Sequence, residues 1–143
     1  MRISTKGRYA TRAMIDLAVH YSDSPILVKD IARRQCISGR YLEQLLLLLK
    51  VVGLVKAVRG AHGGFSLSRP PSQIKLNSII KAVEGSIAPV ECVESPNLCP
   101  KDSCCVMHDI WLEVSKSIDE ILGAITLKEM VERQAKKEAL YKV

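Results

Sequence analysis

Four of the five cysteines fall within fourteen residues, at Cys92, Cys99, Cys104 and Cys105, and His108 follows about one helical turn after the last. Thiolates and an imidazole packed this densely suit a soft metal or an iron–sulfur cluster, because sulfur and ring nitrogen are the donors such centres prefer. The spacing is not that of a zinc ribbon or finger, which carries paired C-x2-C steps. Cys104 and Cys105 are adjacent and do not readily close an unstrained disulfide on each other. A nucleophilic Cys–His pair would need a pocket, an oxyanion motif and an orienting acid, and none is recognisable, so no catalytic residue and no enzyme are expected. The fifth thiol, Cys36, lies in a short turn between two helical segments and reads as a small buried residue. Met1-Arg2-Ile3-Ser4-Thr5-Lys6 leads into a charged amphipathic segment rather than an export signal. The thiols are therefore expected in the reducing cytoplasm, where metal or redox roles outweigh structural disulfides.

A second constellation is basic. Residues 1–75 hold 13 Lys/Arg against 4 Asp/Glu, whereas residues 76–143 hold 8 against 11. A basic front half is the electrostatic footprint of a polyanion binder, although a merely solvated basic surface gives the same count. Within it, Ser38, Gly39, Arg40 and Tyr41 open a helix, with Glu43 and Gln44 one turn on. In a helix-turn-helix those positions meet base edges in the major groove. Arg40 can form a bidentate pair with guanine, Gln44 with adenine, and Glu43 can accept from a cytosine amino group. Glu43 has an equally plain reading as a surface partner of Lys50 or Arg40. Arg59 is placed to enter a narrow minor groove. Thr5, Lys6 and Arg8 crowd the start of a helix, whose free N–H groups and dipole favour a phosphate. His62 stands at a loop tip within reach of phosphate, or simply exposed. Arg33 and Arg34 read as backbone contacts or solvated charges.

These residues need a frame to hold them. The chain is 48% hydrophobic and 25% charged with one Phe and one Trp, which implies a globular fold with an aliphatic core. Tyr9, Ala10, Ala13, Met14, Leu17, Ala18 and Tyr21 recur at helical spacing over 5–22, with Arg8, Arg12 and Asp16 on the other side and Ser4 as N-cap. A shorter helix spans about 28–35, without a capping residue before it and with Ile31 and Ala32 facing inward. Ser38 can cap the next, about 39–52, whose core face is Leu42, Leu45, Leu46, Leu49 and Val52. Leu47, Leu48 and Val51 make that helix apolar nearly all round, so it is expected to be covered on two sides. Gly53 ends it. Two short β runs, Leu54–Arg59 and Phe65–Leu67, flank a glycine-rich tip. The longest apolar run, Leu45–Leu49, stops at Lys50, far short of the roughly 20 residues of a membrane span.

Beyond Pro70-Pro71 a helix over 77–84 buries Ile79, Ile80 and Val83 and closes at Gly85. Residues 86–104 read as an irregular loop. A long helix, about 106–122, leads into a seam of Trp111, Val114, Ile118, Ile121 and Ile125 spaced 3, 4, 3 and 4. That spacing suits packing against a partner helix, or else against its own domain. Thr126-Leu127-Lys128-Glu129 is a capping box with Ile125 and Met130 as its staple, and a frayed tail is expected from Gln134. The fold class is mainly α, an α+β winged helix-turn-helix with a two-stranded wing and a long dimerisation helix. The division is 1–75 for DNA binding, 76–104 for a connecting helix and cysteine loop, and 105–143 for the dimerisation and C-terminal helices.

Ser4-Thr5-Lys6-Gly7-Arg8-Tyr9-Ala10, Ile31-Ala32, Ile37-Ser38, Tyr41-Leu42-Glu43-Gln44, Gly53-Leu54-Val55, Val58-Arg59-Gly60-Ala61-His62-Gly63-Gly64-Phe65, Val83-Glu84-Gly85 and the cysteine loop before Trp111 occur here in one order. Over residues 1 to 130 the chain thereby resembles the winged-helix regulators typified by IscR, NsrR and CymR. The resemblance implies a homodimer on a pseudo-palindromic double-stranded operator, with the long helix at the dimer contact. In the IscR branch it implies a [2Fe–2S] cluster on Cys92, Cys99, Cys105 and His108, with Cys104 as an alternative ligand and [4Fe–4S] as an alternative cluster. The NsrR branch takes an acid from the first helix, where this chain reads Lys6-Gly7-Arg8-Tyr9; the CymR branch lacks the cysteine triad. No membrane partner and no small-molecule substrate are expected. The rival readings are a thiol-redox regulator without a cluster and a metal- or cluster-handling protein whose basic half is incidental.

Overall fold

The computed structural model describes residues 2–142. Among them the helices are α1 (Thr5–Val19), α2 (Val28–Gln35), α3 (Gly39–Val51), α4 (Leu76–Glu84), α5 (Val106–Ala124) and α6 (Leu127–Tyr141). The hairpin strands β1 (Val55–Val58) and β2 (Gly64–Leu67) lie between α3 and α4. β1 and β2 pair antiparallel with Val55 opposite Leu67 and Val58 opposite Gly64. Ile26, in the segment before α2, adds a bridge to Phe65 through backbone bonds of 2.8 and 2.9 Å. That bridge fixes the wing to the helix-turn-helix. It also requires a glycine at Gly64, where φ is 147° and a Cβ would strike the Ile26 carbonyl.

The core is aliphatic, as the composition implies. Met14 and Leu17 of α1, Ile31 of α2, and Leu42, Leu45, Leu46 and Leu49 of α3 meet Ile79 and Val83 of α4 and Leu127 of α6. Burying each such side chain contributes about 1.5–3 kcal/mol relative to leaving it in water. Ser38 caps α3 by accepting from the Tyr41 N–H at 3.4 Å, and Gly53 closes it at φ 76°.

Several local expectations are corrected. α1 stops at Val19 rather than 22: His20 leaves helical backbone (φ −101°, ψ 25°), the Tyr21 N–H turns back to the Ala18 carbonyl at 3.2 Å, and His20 Nδ1 lies 2.9 Å from the Asp16 carbonyl oxygen. Tyr21 is then exposed. Asp16, placed on the polar side by the sequence pattern, is only 3% exposed. Val52 and the second apolar face of α3 (Leu47, Leu48 and Val51) are exposed, Val51 at 84%. Among the described residues nothing covers that side. Cys36 is exposed, since the left-handed turn it occupies (φ 53°) gives the buried position to Ile37. The Thr126 box is half formed. Thr126 accepts from Glu129 N at 3.1 Å, but the Glu129 carboxylate pairs with Arg133. The segment from Gln134 is helical to Tyr141, supported by i,i+4 contacts such as Gln134–Glu138 at 2.9 Å. No helix among the described residues is long and apolar enough to cross a membrane.

Candidate DNA-binding face and cysteine loop

The N-terminal edge of α3 is the exposed end of a helix whose other face is locked in the core. Leu42, Leu45 and Leu46 anchor it, while Arg40, Glu43 and Gln44 lie in solvent. Among the described residues no side-chain hydrogen bond or ion pair involves those three. Glu43 therefore has no partner in Lys50 or Arg40, and its acceptors are open. Tyr41 is half-buried and meets Tyr9 of α1 edge-on at 6.0 Å, with the Arg12 guanidinium over Tyr9 at 5.4 Å. This stack ties α1 to the start of α3. Arg59 and His62 are both exposed along the wing, whose tip turns at Gly60 (φ 112°) with Gly63 N–H bonded to Gly60 O at 3.0 Å.

The two arginines of α2 fare differently, Arg33 staying a largely exposed charge. Arg33 pairs with Asp30 at 3.5 Å. Arg34 is a structural cation. Its Nη2 and Nε donate to the buried Asp16 carboxylate at 2.6 and 2.9 Å, and Gln35 Nε2 adds a third bond at 3.0 Å. Burial alone would raise the Asp16 pKa, but the hydrogen bonds from Arg34 and Gln35 and the Arg34 charge outweigh it and hold the carboxyl below its ordinary value.

The first turn of α1 also departs from the sequence reading. Ser4 makes no side-chain cap of its own helix. Instead Glu84, at the end of α4, accepts from Ser4 N at 2.9 Å, Ser4 Oγ at 2.6 Å and Gly7 N at 3.0 Å, all on Oε1. The anion position at this helix start is thus filled from within the protein. Thr5, Lys6 and Arg8 remain exposed beside it, with Arg8 donating to Thr5 Oγ1 at 3.1 Å.

Residues 86–105 are irregular, with 3₁₀ turns at Glu91–Val93 and Asp102–Cys104. Cys92, Cys99 and His108 line one open cleft of about 620 Å³. His108 Nε2 lies 3.2 Å from the Cys92 carbonyl oxygen. Cys105 is the N-cap of α5 and is not part of that lining. Cys104 is exposed, and its thiol donates to the Lys101 carbonyl at 3.4 Å. Among the described residues no three His, Cys, Asp or Glu groups are gathered as for a metal ion. The loop therefore brings together three of the four expected donors in one cleft without closing a site around them.

No residue of α5 is buried. Along its expected seam, Trp111, Val114, Ile118 and Ile125 are half-buried and Ile121 is exposed, and Val106, Met107 and Ile110 add exposed apolar surface. Asp119 joins α5 to α4, taking Lys81 Nζ at 2.5 Å and Asn77 Nδ2 at 3.2 Å.

The pattern of the family described as "Rrf2: Iron-dependent Transcriptional regulator" matches residues 3–133. The chain belongs to the Rrf2 family. Among its relatives, Protein rrf2 of Nitratidesulfovibrio vulgaris is 38% identical over 92% of this chain and 87% of its own length. The HTH-type transcriptional regulator IscR of Yersinia pseudotuberculosis is 41% identical over 94% of this chain and 81% of its own length. In three dimensions the chain resembles T. potens IscR, at TM-score 0.73 and 42% identity over 94% of this chain and 88% of that one. It also resembles CymR, the global cysteine regulator of B. subtilis, at TM-score 0.75 and 35% identity over 93% and 98%. This Rrf2-family protein is accordingly a transcriptional regulator of the winged-helix type. Its Yersinia pseudotuberculosis relative is named a transcriptional regulator. Pattern matching on the sequence missed Asp16–Arg34 and Glu84. The Ser4, Gly7 and Glu84 motifs were visible, but nothing in local spacing joins positions eighty residues apart.

Proposed function

We propose that this Rrf2-family protein is a homodimeric, cytoplasmic DNA-binding regulator whose operator affinity depends on an iron–sulfur cluster, [2Fe–2S] in type. The observation that carries the reading is the unpartnered edge of α3, where Arg40, Glu43 and Gln44 stand exposed on a helix fixed by four buried leucines. Ser38, Gly39 and Tyr41 set that edge, Arg59 and His62 extend it along the wing, and Thr5, Lys6 and Arg8 supply phosphate contacts. Residues 1–75 form the DNA-binding part, 76–104 the connecting helix and cysteine loop, and 105–143 the part that pairs two copies through Trp111, Val114, Ile118, Ile121 and Ile125. The lack of any buried residue on α5 supports that pairing.

The donor set suits the cluster chemically, since every cysteine is a free thiol and Cys92, Cys99 and His108 share a cleft. Cys92, Cys99, Cys105 and His108 would hold it, with Cys104 as the alternative thiolate and [4Fe–4S] as the alternative type. When bound, such a cluster supplies redox sensitivity and a link lost with the cluster. Cys105 caps α5 and His108 lies in its first turn. Ligation at these two residues therefore ties the first turn of the pairing helix to the loop. A coupling of about 1–3 kcal/mol between the loop and DNA affinity is the ordinary size for such a link.

Anaerobic purification with iron and sulfide counts, EPR of the reduced protein and titration of a palindromic duplex test the proposal together. Log affinity should fall linearly with log salt, and Arg40→Ala should cost about 1–3 kcal/mol at one base position. Binding indifferent to salt and sequence overturns the DNA reading. A colourless, iron-free protein with full regulation overturns the cluster reading, and His108→Ala against Cys104→Ala identifies the fourth ligand.

A further inference from the structure

The contact between Glu84 and α1 is built for more than holding two helices together. Three donors converge on one carboxylate oxygen: the Ser4 N–H at 2.9 Å, the Ser4 hydroxyl at 2.6 Å and the Gly7 N–H at 3.0 Å. The approach is so close that a Cβ on Gly7 would lie 2.5 Å from Oε1 and 2.8 Å from the Ile3 side chain. Gly7 is accordingly required by the clamp, although its own backbone is ordinary helix. The donors belong to the first-turn N–H groups that a helix leaves unpaired, and a carboxylate there is favoured by the helix dipole. Thr5, Lys6 and Arg8, the exposed residues of the same turn, are spaced around the clamped groups. The other end of the clamp is the last residue of α4, whose earlier turns grip Asp119 of α5 through Asn77 and Lys81. One helix therefore connects the α1 start to the helix that follows the cysteine loop.

We infer that Glu84 is a positioning residue for DNA binding: by clamping the first turn of α1 it holds Thr5, Lys6 and Arg8 where they meet phosphate. The inference rests on the DNA-binding reading above. The sign of its effect is informative, because Glu84 is itself an anion beside a polyanion-binding surface. The Ser4 hydroxyl is the largest influence; burial opposes it, and the Ser4 and Gly7 N–H groups and the Lys6 charge then add to it, so the carboxyl is held below the ordinary range. It is ionised at neutral pH. If it acted on DNA only through its charge, removing that charge would tighten binding. If it acts by positioning, removing the acceptor weakens binding.

Full-length protein is titrated with one palindromic duplex at several salt concentrations, with folding followed by circular dichroism. Glu84→Ala is expected to bind about tenfold more weakly and to lower the magnitude of the log-affinity against log-salt slope by about 1–2, since each lost phosphate contact removes about 0.9. Glu84→Gln keeps an oxygen acceptor and is expected to retain the wild-type slope. Lys6→Ala should lower the slope by about 1 in the wild type and by much less in the Glu84→Ala background, where that contact is already lost. Should Glu84→Ala fail to fold, Ser4→Ala removes only the 2.6 Å bond and carries the same comparison with a smaller effect. Tighter binding by both Glu84 variants, or a weaker Glu84→Ala with an unchanged slope and additive Lys6→Ala, overturns the inference. Wild-type protein without salt-dependent binding overturns the DNA reading instead.

Discussion

Arg34→Ala should strand Asp16, the one charged group buried in the core among the described residues. Asp16 lies on α1 with its side chain 2% exposed, and Arg34 of α2 supplies its two nearest cationic donors. Removing one partner of a fully buried pair costs about 3–5 kcal/mol, because the remaining charge loses its compensation. Two features place this site lower. The Arg34 side chain is 29% exposed, and a cleft lined by both residues admits water once the guanidinium is gone. Gln35 Nε2 also remains bonded to the carboxylate at 3.0 Å. The expected loss is about 2–3 kcal/mol at pH 7. Asp16→Asn should lose less, about 1–2 kcal/mol, since an amide keeps an acceptor and Arg34 can turn to solvent. The pH dependence has a definite sign. The folded Asp16 pKa lies below the unfolded value, so the pair's contribution is complete above about pH 4 and is lost as pH falls through the folded value. The gap between wild type and Arg34→Ala should therefore narrow on acidification. Urea unfolding at fixed protomer concentration, compared at equal m, measures it. A loss under about 1 kcal/mol for Arg34→Ala, or a larger loss for Asp16→Asn, would refute the reasoning.

Ser38→Ala removes the α3 cap and should cost about 0.5–2 kcal/mol in urea unfolding, with Ser38→Gly costing only a few tenths. Gly64→Ala should cost more than about 1 kcal/mol, since it combines a positive φ with a clash at the Ile26 carbonyl. Faster amide exchange at Phe65 would mark the broken bridge. Asp119→Ala should change stability by less than about 1 kcal/mol, because Lys81 and Asp119 are each 47% exposed; a loss above about 2 kcal/mol would make the α4–α5 latch a core contact instead.

Periodicity located α1 and α4 because each buries one stripe and leaves another in solvent, whereas α3 and α5 show their apolar spacing without showing what lies against it. The order α1, α2, α3, hairpin followed from Ser38, Gly53 and the wing glycines, whose conformational roles are local. What escaped depends on contacts between distant segments. Asp16 falls on the polar side of an amphipathic count, yet α2 packs over it and brings Arg34 and Gln35 to satisfy it. Ser4 has the right type for an N-cap, but Glu84 accepts the Gly7 N–H that a Ser4 cap would take, and the Ser4 hydroxyl donates to Glu84 instead. Cys36 has the composition of a core residue and the position of a turn, and position decided it.

The cysteine loop was legible in residue type and not in geometry. Cys105 at the head of α5 follows from a helix starting near 106, but spacing in an aperiodic segment fixes no direction for a side chain, so only the chain's tertiary course could draw Cys92, Cys99 and His108 to one cleft. The same limit explains α5 and α3. A heptad count tells how an apolar stripe runs, not what lies against it. In α5 the stripe remains only partly covered, and in α3 the leucines and valines beyond the core face remain in water. A helix of 19 residues whose apolar side chains are at most half-buried gains less from packing than one with a buried face, the source of most helix stability in proteins. In the proposed homodimer a second copy covering Ile121 and its neighbours would supply that burial. Under the proposed pairing, a change of the loop at Cys105 and His108 would act on α5 at its first turn, and α4, joined to α5 through Asp119 and to α1 through Glu84, would connect it to the start of α1.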